Sequence, residues 1–199
     1  MMFWSEHKFI VIEGIDGVGK STVCRMVQSL ILKQGGLCEL LYGVPEPYIE
    51  IAMKVPQVKS VYSRYNFYHA SNLATADKVR DILHYSNVVL DRYCYSTFAY
   101  HRARGANIPP PVFTDSGLLK PHLSVLLKVG DEAIRQDRIE HRDQEKSLDD
   151  QEKNGAGSFI DELEKLFGLL SMVEVDNSAD DPGIAAQRIL NTLSDSDGR

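Results

Sequence analysis

Apolar and polar positions along this chain alternate between two periods. Lys8–Glu13 (KFIVIE) is a short β-branched run that stops at a glycine-rich turn. From Ser21 to Gln34 the period changes: Val23, Met26, Val27, Leu30 and Ile31 recur at three and four residues, which marks one face of a helix. Gly35-Gly36 closes it. Leu37–Tyr42 and Asn87–Asp91 read as a second and a third strand, His122–Val129 and Met172–Asp176 as a fourth and a fifth. Helices are expected near 60–84, 94–104, 131–142, 158–170 and 183–193, and 194–199 reads as a disordered tail. Apolar strands alternating with helices predict an α/β fold, a five-stranded parallel sheet with helices on both faces. Ligands of such sheets bind at the carboxyl ends of the strands. No repeat or linker divides the pattern, so 1–199 is read as a single domain.

Composition narrows the partners. The 199 residues carry 22 Lys+Arg and 28 Asp+Glu, a net charge of −6, without the broad basic footprint of a nucleic-acid binder. No apolar run exceeds four residues, so neither a membrane span nor a membrane partner is expected. Cys24, Cys38 and Cys94 are odd in number and widely spread, against a disulfide framework or zinc site and in keeping with a reducing, cytoplasmic setting. The six histidines show no metal-ligand spacing, and nothing nearby activates Cys94.

The chemistry begins after the first strand. Gly14-Ile15-Asp16-Gly17-Val18-Gly19-Lys20-Ser21 matches G-x-x-x-x-G-K-[ST], between an apolar strand and an amphipathic helix. Glycines let backbone N–H groups face a polyphosphate, and the helix that follows adds the positive end of its dipole. Gly14 through Lys20, with Ser21 and Thr22, are therefore the candidate ATP-binding residues. Lys20 is the mobile cation for the β- and γ-phosphates, and Ser21 a Mg²⁺ ligand candidate. Asp91, at the tip of the third strand, is the second metal candidate. Arg135, Arg138, Arg142 and Lys146, at spacings of 3, 4 and 4, form a basic stripe able to close over a transferred phosphoryl group.

This loop, with Asp91-Arg92-Tyr93-x-x-Ser96-x-x-Ala99-Tyr100, resembles the thymidylate kinase family from Lys8 to about Leu193. The resemblance implies a three-layer P-loop NTPase fold with a lid. It also implies transfer of phosphate from ATP with Mg²⁺ to a pyrimidine nucleoside monophosphate, dTMP first, and a homodimer. It implies that Asp16 approaches the sugar, that Arg92 contacts phosphates of both substrates, and that Ser96 and Tyr100 face the acceptor. Phe67 aligns with the family's base-stacking aromatic. Arg138-Ile139-x-x-Arg142 resembles its lid entry, so Lys20, Arg92, Arg138 and Arg142 are the catalytic candidates, with a lid over about 138–157.

Three departures bear on mechanism and specificity. Gly17 stands where some members carry an arginine, which leaves the cation to the lid. Ser71 and Asn72 stand where an arginine usually holds thymine, and D-R-x-E after the lid appears only as Asp149-Asp150-Gln151-Glu152. Tyr62-Ser63-x-x-Asn66-Phe67-x-x-Ala70-Ser71 and Leu118–His122 resemble the mitochondrial UMP–CMP kinase branch. Acceptors beyond dTMP (dUMP, dCMP, UMP and CMP) are thus expected, with Phe67, Ser71 and Asn72 lining the base pocket. Two alternatives stay open: a deoxynucleoside kinase using Glu13 as base, and a nucleotide-binding regulatory protein.

Overall fold

A computed structural model of the chain describes residues 6–141 and 157–197. Strands β1 (Phe9–Glu13), β2 (Cys38–Tyr42), β3 (Asn87–Asp91), β4 (Leu123–Lys128) and β5 (Val173–Asp176) form one sheet in the order β2-β3-β1-β4-β5. Every pairing is parallel. The central strands β1 and β3 are buried at all five positions each, as continuous apolar runs require when both faces are covered. Of the two edge strands, β5 buries only Val175.

The helices are α1 (Lys20–Lys33), α2 (Ile49–Ala52), α3 (Val61–Ile82), α4 (Cys94–Ala103), α5 (Glu132–Glu140), α6 (Gly157–Gly168) and α7 (Pro182–Asp197). α1 packs on α7, while α4 packs on α3 and α6, so two helical layers cover the sheet. Local chemistry sets the ends. Ser60 accepts a hydrogen bond from the Ser63 amide to start α3, and Asp131 accepts from Ala133 to start α5. Gly35, at φ +85°, ends α1.

Two expectations are corrected. Residues 194–197 are not a tail: α7 runs to Asp197, because Leu190 and Leu193 are buried and hold its last turns to the core. Between β2 and α3 the chain forms α2 and a 3₁₀ turn at Val55–Gln57, neither of them expected. α2 buries no residue, so no amphipathic period marks it.

For the site, the register matters most. Ile12 pairs with Asp91, so the loop after β1 and the turn after β3 emerge side by side at the carboxyl edge of the sheet.

Candidate active site

The loop between β1 and α1 curls through glycines that other residues could not replace. Gly17 and Gly19 sit at φ +88° and +89°. A Cβ at Gly17 would lie 2.7 Å from Arg135 Cγ and 2.8 Å from the Arg135 carbonyl oxygen. α5 therefore lies directly on the loop, and an arginine side chain at this position would have no room here. Ile15 and Val18 turn their side chains into the core, leaving backbone to line the loop. Thr22 stays exposed, its hydroxyl accepting from Arg25.

Lys20 opens α1 only 5% exposed. Its Nζ donates to the Ile15 carbonyl at 2.7 Å and lies 3.9 Å from Asp16 Oδ1. Burial, reinforced by the Arg92 charge, pulls its pKa down to about 8. Next to it Ser21 Oγ donates to Asp91 Oδ2 at 2.6 Å, so the two metal candidates meet in space.

Arg92 is the hinge of the site. It holds a left-handed backbone, φ +70°, rare for a residue with a side chain. One guanidinium nitrogen donates to Ser96 Oγ at 3.0 Å, another to Asp16 Oδ1, and the group stacks 5.3 Å over the Tyr100 ring. Burial opposes its charge, but Tyr100, Asp16, Asp91 and Glu13 outweigh that, and Arg92 stays cationic. The structure thus brings together Asp16, Lys20, Ser21, Asp91, Arg92, Ser96 and Tyr100.

The basic stripe divides. Arg135 is buried and donates at 2.8 Å to the Asp16 carbonyl while Glu132 grips its fork, a brace beneath the loop. Arg138 reaches the turn after β5, donating at 3.0 Å to the Asn177 carbonyl and at 3.4 Å to that of Ala179. Arg142 and Lys146 lie outside the described residues, as does most of the expected lid.

On α3 the aromatic and polar candidates also separate. Phe67 is half-buried, its ring 6.1 Å from Tyr48 and 5.2 Å from Tyr68. Ser71, one turn on, is buried and donates at 3.3 Å to the Gly43 carbonyl, beside the Arg92 backbone. Asn72 is not part of this face. One helical step turns it toward α4, where it donates to Thr97 Oγ1 at 2.9 Å and lines a separate cavity of about 340 Å³ with Tyr65, His69 and Phe98.

Glu13 is not placed to act as a base toward a substrate hydroxyl. It is fully buried, with Oε1 accepting from the Tyr93 amide at 2.7 Å and the Ser96 amide at 3.2 Å and Oε2 accepting from Ser96 Oγ. Burial raises its pKa, and the bonds from Ser96 and the charge of Arg92 oppose that rise. Burial likewise pushes the Cys94 thiol well up, in line with an inert side chain. Among the described residues no cluster of three or more His, Cys, Asp or Glu could hold a metal by itself.

Two residues were missed by sequence reasoning. Asn177, just past β5, is buried and donates from Nδ2 to the Val18 carbonyl at 2.9 Å, tying the far strand to the loop. Arg104 stacks over Tyr100 at 5.8 Å and over Phe159 of α6 at 5.5 Å. Its signal was present, since it follows Tyr100 by four positions on one helix face.

Comparisons with known proteins agree with this geometry. The family model described as thymidylate kinase matches residues 12–169. A probable thymidylate kinase of Staphylothermus marinus is 33% identical over 130 residues, 61% of this chain and 63% of that protein. One from Methanococcus maripaludis is 28% identical over 197 residues, 95% of this chain and 96% of its own. A solved structure of the Candida albicans thymidylate kinase, an enzyme described as broad in substrate specificity, superposes with a TM-score of 0.72. It covers 98% of this chain and 94% of its own at 18% identity, a likeness of fold.

Proposed function

The chain belongs to the thymidylate kinase family, and we propose on that premise that it transfers the γ-phosphoryl group of ATP to a pyrimidine nucleoside monophosphate, giving ADP and the diphosphate. The observation that carries the proposal is Arg92, whose guanidinium bridges Asp16 of the phosphate loop and Ser96 of the neighbouring helix. A cation at that seam reaches donor and acceptor phosphates together, which the transfer requires and a one-nucleotide binding protein does not. Lys20 and Arg92 then neutralise charge as it spreads over the transferred group, with Arg138 and Arg142 proposed to add to it from the lid.

The oxygens of Ser21 and Asp91, in contact with each other, are a donor pair of the hard type that suits Mg²⁺. These two residues would hold it. Held there, the ion would supply positive charge to offset that of the phosphates.

dTMP is the proposed first acceptor, with Asp16 and Tyr100 toward the sugar and Phe67 as the stacking platform. The pocket supports a wider range as well. Position 71 carries a hydroxyl engaged by Gly43 rather than an arginine, so no charged donor from that residue singles out thymine. A deoxynucleoside kinase is disfavoured, because the carboxylate it would use is occupied by backbone and serine donors.

Incubation with ATP and dTMP, dUMP, dCMP, UMP and CMP in turn tests the reading. ADP formation with at least one acceptor is expected, and none above background with any of them refutes it. A dTMP preference above about a hundredfold in kcat/KM, roughly 2.7 kcal/mol, removes the wider-range part. We also propose the family's homodimer, which a monomer mass in light scattering would remove.

A further inference from the structure

We infer that Glu13 is a positioning residue for phosphoryl transfer, fixing from the centre of the sheet both the bend at Arg92 and the direction of its guanidinium through Ser96. The inference rests on the kinase reading above and adds a residue to it.

Three observations converge. First, Glu13 grips the segment that follows Arg92 at three points: the amides of Tyr93 and Ser96 and the hydroxyl of Ser96. These amides open α4, so a carboxylate delivered by a distant strand caps this helix, whose own flanking residue Tyr93 offers no side-chain cap. Second, the backbone just before that grip is the left-handed Arg92, and such a conformation persists only where its surroundings over-determine it. They do. The Arg92 amide donates to the Ile12 carbonyl at 3.1 Å, and a Cβ at Gly43 would lie 2.9 Å from the Arg92 carbonyl oxygen.

The third observation concerns a proton. A serine hydroxyl has one hydrogen to give and two lone pairs to offer. Ser96 Oγ meets a carboxylate on one side and an arginine N–H on the other. A carboxylate only accepts, so the hydroxyl hydrogen points at Glu13 and a lone pair faces Arg92. The carboxylate thereby sets the polarity of the contact that aims the guanidinium. A neutral amide of the same shape breaks this. With its oxygen kept on the two backbone amides, its NH₂ faces Ser96 Oγ as a second donor, so the hydroxyl hydrogen loses its acceptor and no longer fixes which lone pair Arg92 meets.

The consequence is chemical as well as structural. Arg92 acts on a charge that develops during the reaction, and misdirection of such a group by a fraction of an ångström lowers turnover far more than it weakens substrate binding. Helix capping alone predicts a different pattern: lower stability with turnover preserved in the molecules that remain folded.

The test is Glu13→Gln, Ser96→Ala and the double variant, assayed below their melting temperatures. The expected result is a 10- to 100-fold fall in kcat for Glu13→Gln, with the dissociation constant for ATP within about threefold of the original protein. Because the two residues act through one contact, the double variant should lose little more than Glu13→Gln alone. Unchanged kcat in folded Glu13→Gln overturns the inference, and so does a double variant whose loss is the product of the two single losses. Should Glu13→Gln fail to fold, Ser96→Ala decides alone. Its kcat must fall with KM for ATP retained, and an unchanged kcat overturns the relay. If the original protein transfers to no monophosphate, the kinase reading has failed on its own. Glu13 is then judged on the ¹⁵N guanidinium resonances of Arg92, which must shift in Glu13→Gln, and unmoved resonances overturn the positioning role.

Discussion

Replacing Gly17 by alanine tests the claim that α5 is built onto the phosphate loop. The added methyl would lie 2.7 Å from Arg135 Cγ, 2.8 Å from the Arg135 carbonyl oxygen and 2.9 Å from Ile139 Cγ1. One of these atoms is main chain, so a side-chain rotation cannot clear the overlap and the helix must move. Inserting bulk into a packed contact destabilises by about 1–3 kcal/mol. The left-handed backbone at φ +88° adds about 1–2 kcal/mol for a residue with a Cβ. Together these give roughly 2–5 kcal/mol, which for a chain of this size lowers Tm by roughly 4–20 °C. Activity should fall as well, since the helix that moves carries the Arg135 bond to the Asp16 carbonyl. Calorimetry of both proteins without nucleotide, with kcat/KM measured at 25 °C, provides the check. A midpoint within about 1 °C of the unsubstituted protein refutes the reasoning. Gly17→Arg, although it adds a cation beside the phosphate loop, should lose activity rather than gain it.

The other predictions concern charge. Lys20→Ala should lower kcat by on the order of a hundredfold or more without lowering Tm, because it removes a buried cation the fold does not need. With Lys20 at about 8 when folded against 10.5 as its ordinary value, the unfolded chain binds more protons between those pH values. From this group alone stability rises across that window, by up to about 3 kcal/mol, while ATP affinity, measured by titration calorimetry, falls as the cation is lost. Arg135→Ala should destabilise by roughly 1.5–3 kcal/mol in denaturant titration. Arg135→Lys should not restore it, since one ammonium cannot hold Glu132 and the Asp16 carbonyl as the fork does. Full stability of either variant would show the brace to be idle.

Much of this site is legible in the amino-acid sequence. The phosphate loop was legible because each position has a separate physical job, and Asp91 because a parallel strand delivers its last residue beside that loop. Other features were hidden by distance or by a single step of rotation. Arg135 and Arg138 share a helix face, yet one turns under Asp16, 119 positions away, and the other reaches the turn beyond β5. Nothing in their spacing distinguishes them. Ser71 and Asn72 are consecutive and were read as one pocket wall, but a residue step in a helix turns about 100°, and only Ser71 stays on the Arg92 side. Glu13 looked like a possible base because its sequence position shows neither its burial nor its three donors.

The strand order also bears on how the chain is made. Of the five strands described, β1 is synthesised first, and it occupies the middle of the sheet between β3 and β4. Its partner on one side begins at Asn87, and on the other the Phe9 amide donates to His122 Nδ1, 113 positions later. A ribosome adding about 5–20 residues per second therefore holds Phe9–Glu13 without its second neighbour for roughly 5–20 s. The most apolar strand of the protein is the one that waits longest, with its β4-facing edge open to other chains after β3 has emerged. Folding during synthesis is thus limited by sequence separation, and the nascent chain should depend on chaperone binding at its first strand until β4 has emerged.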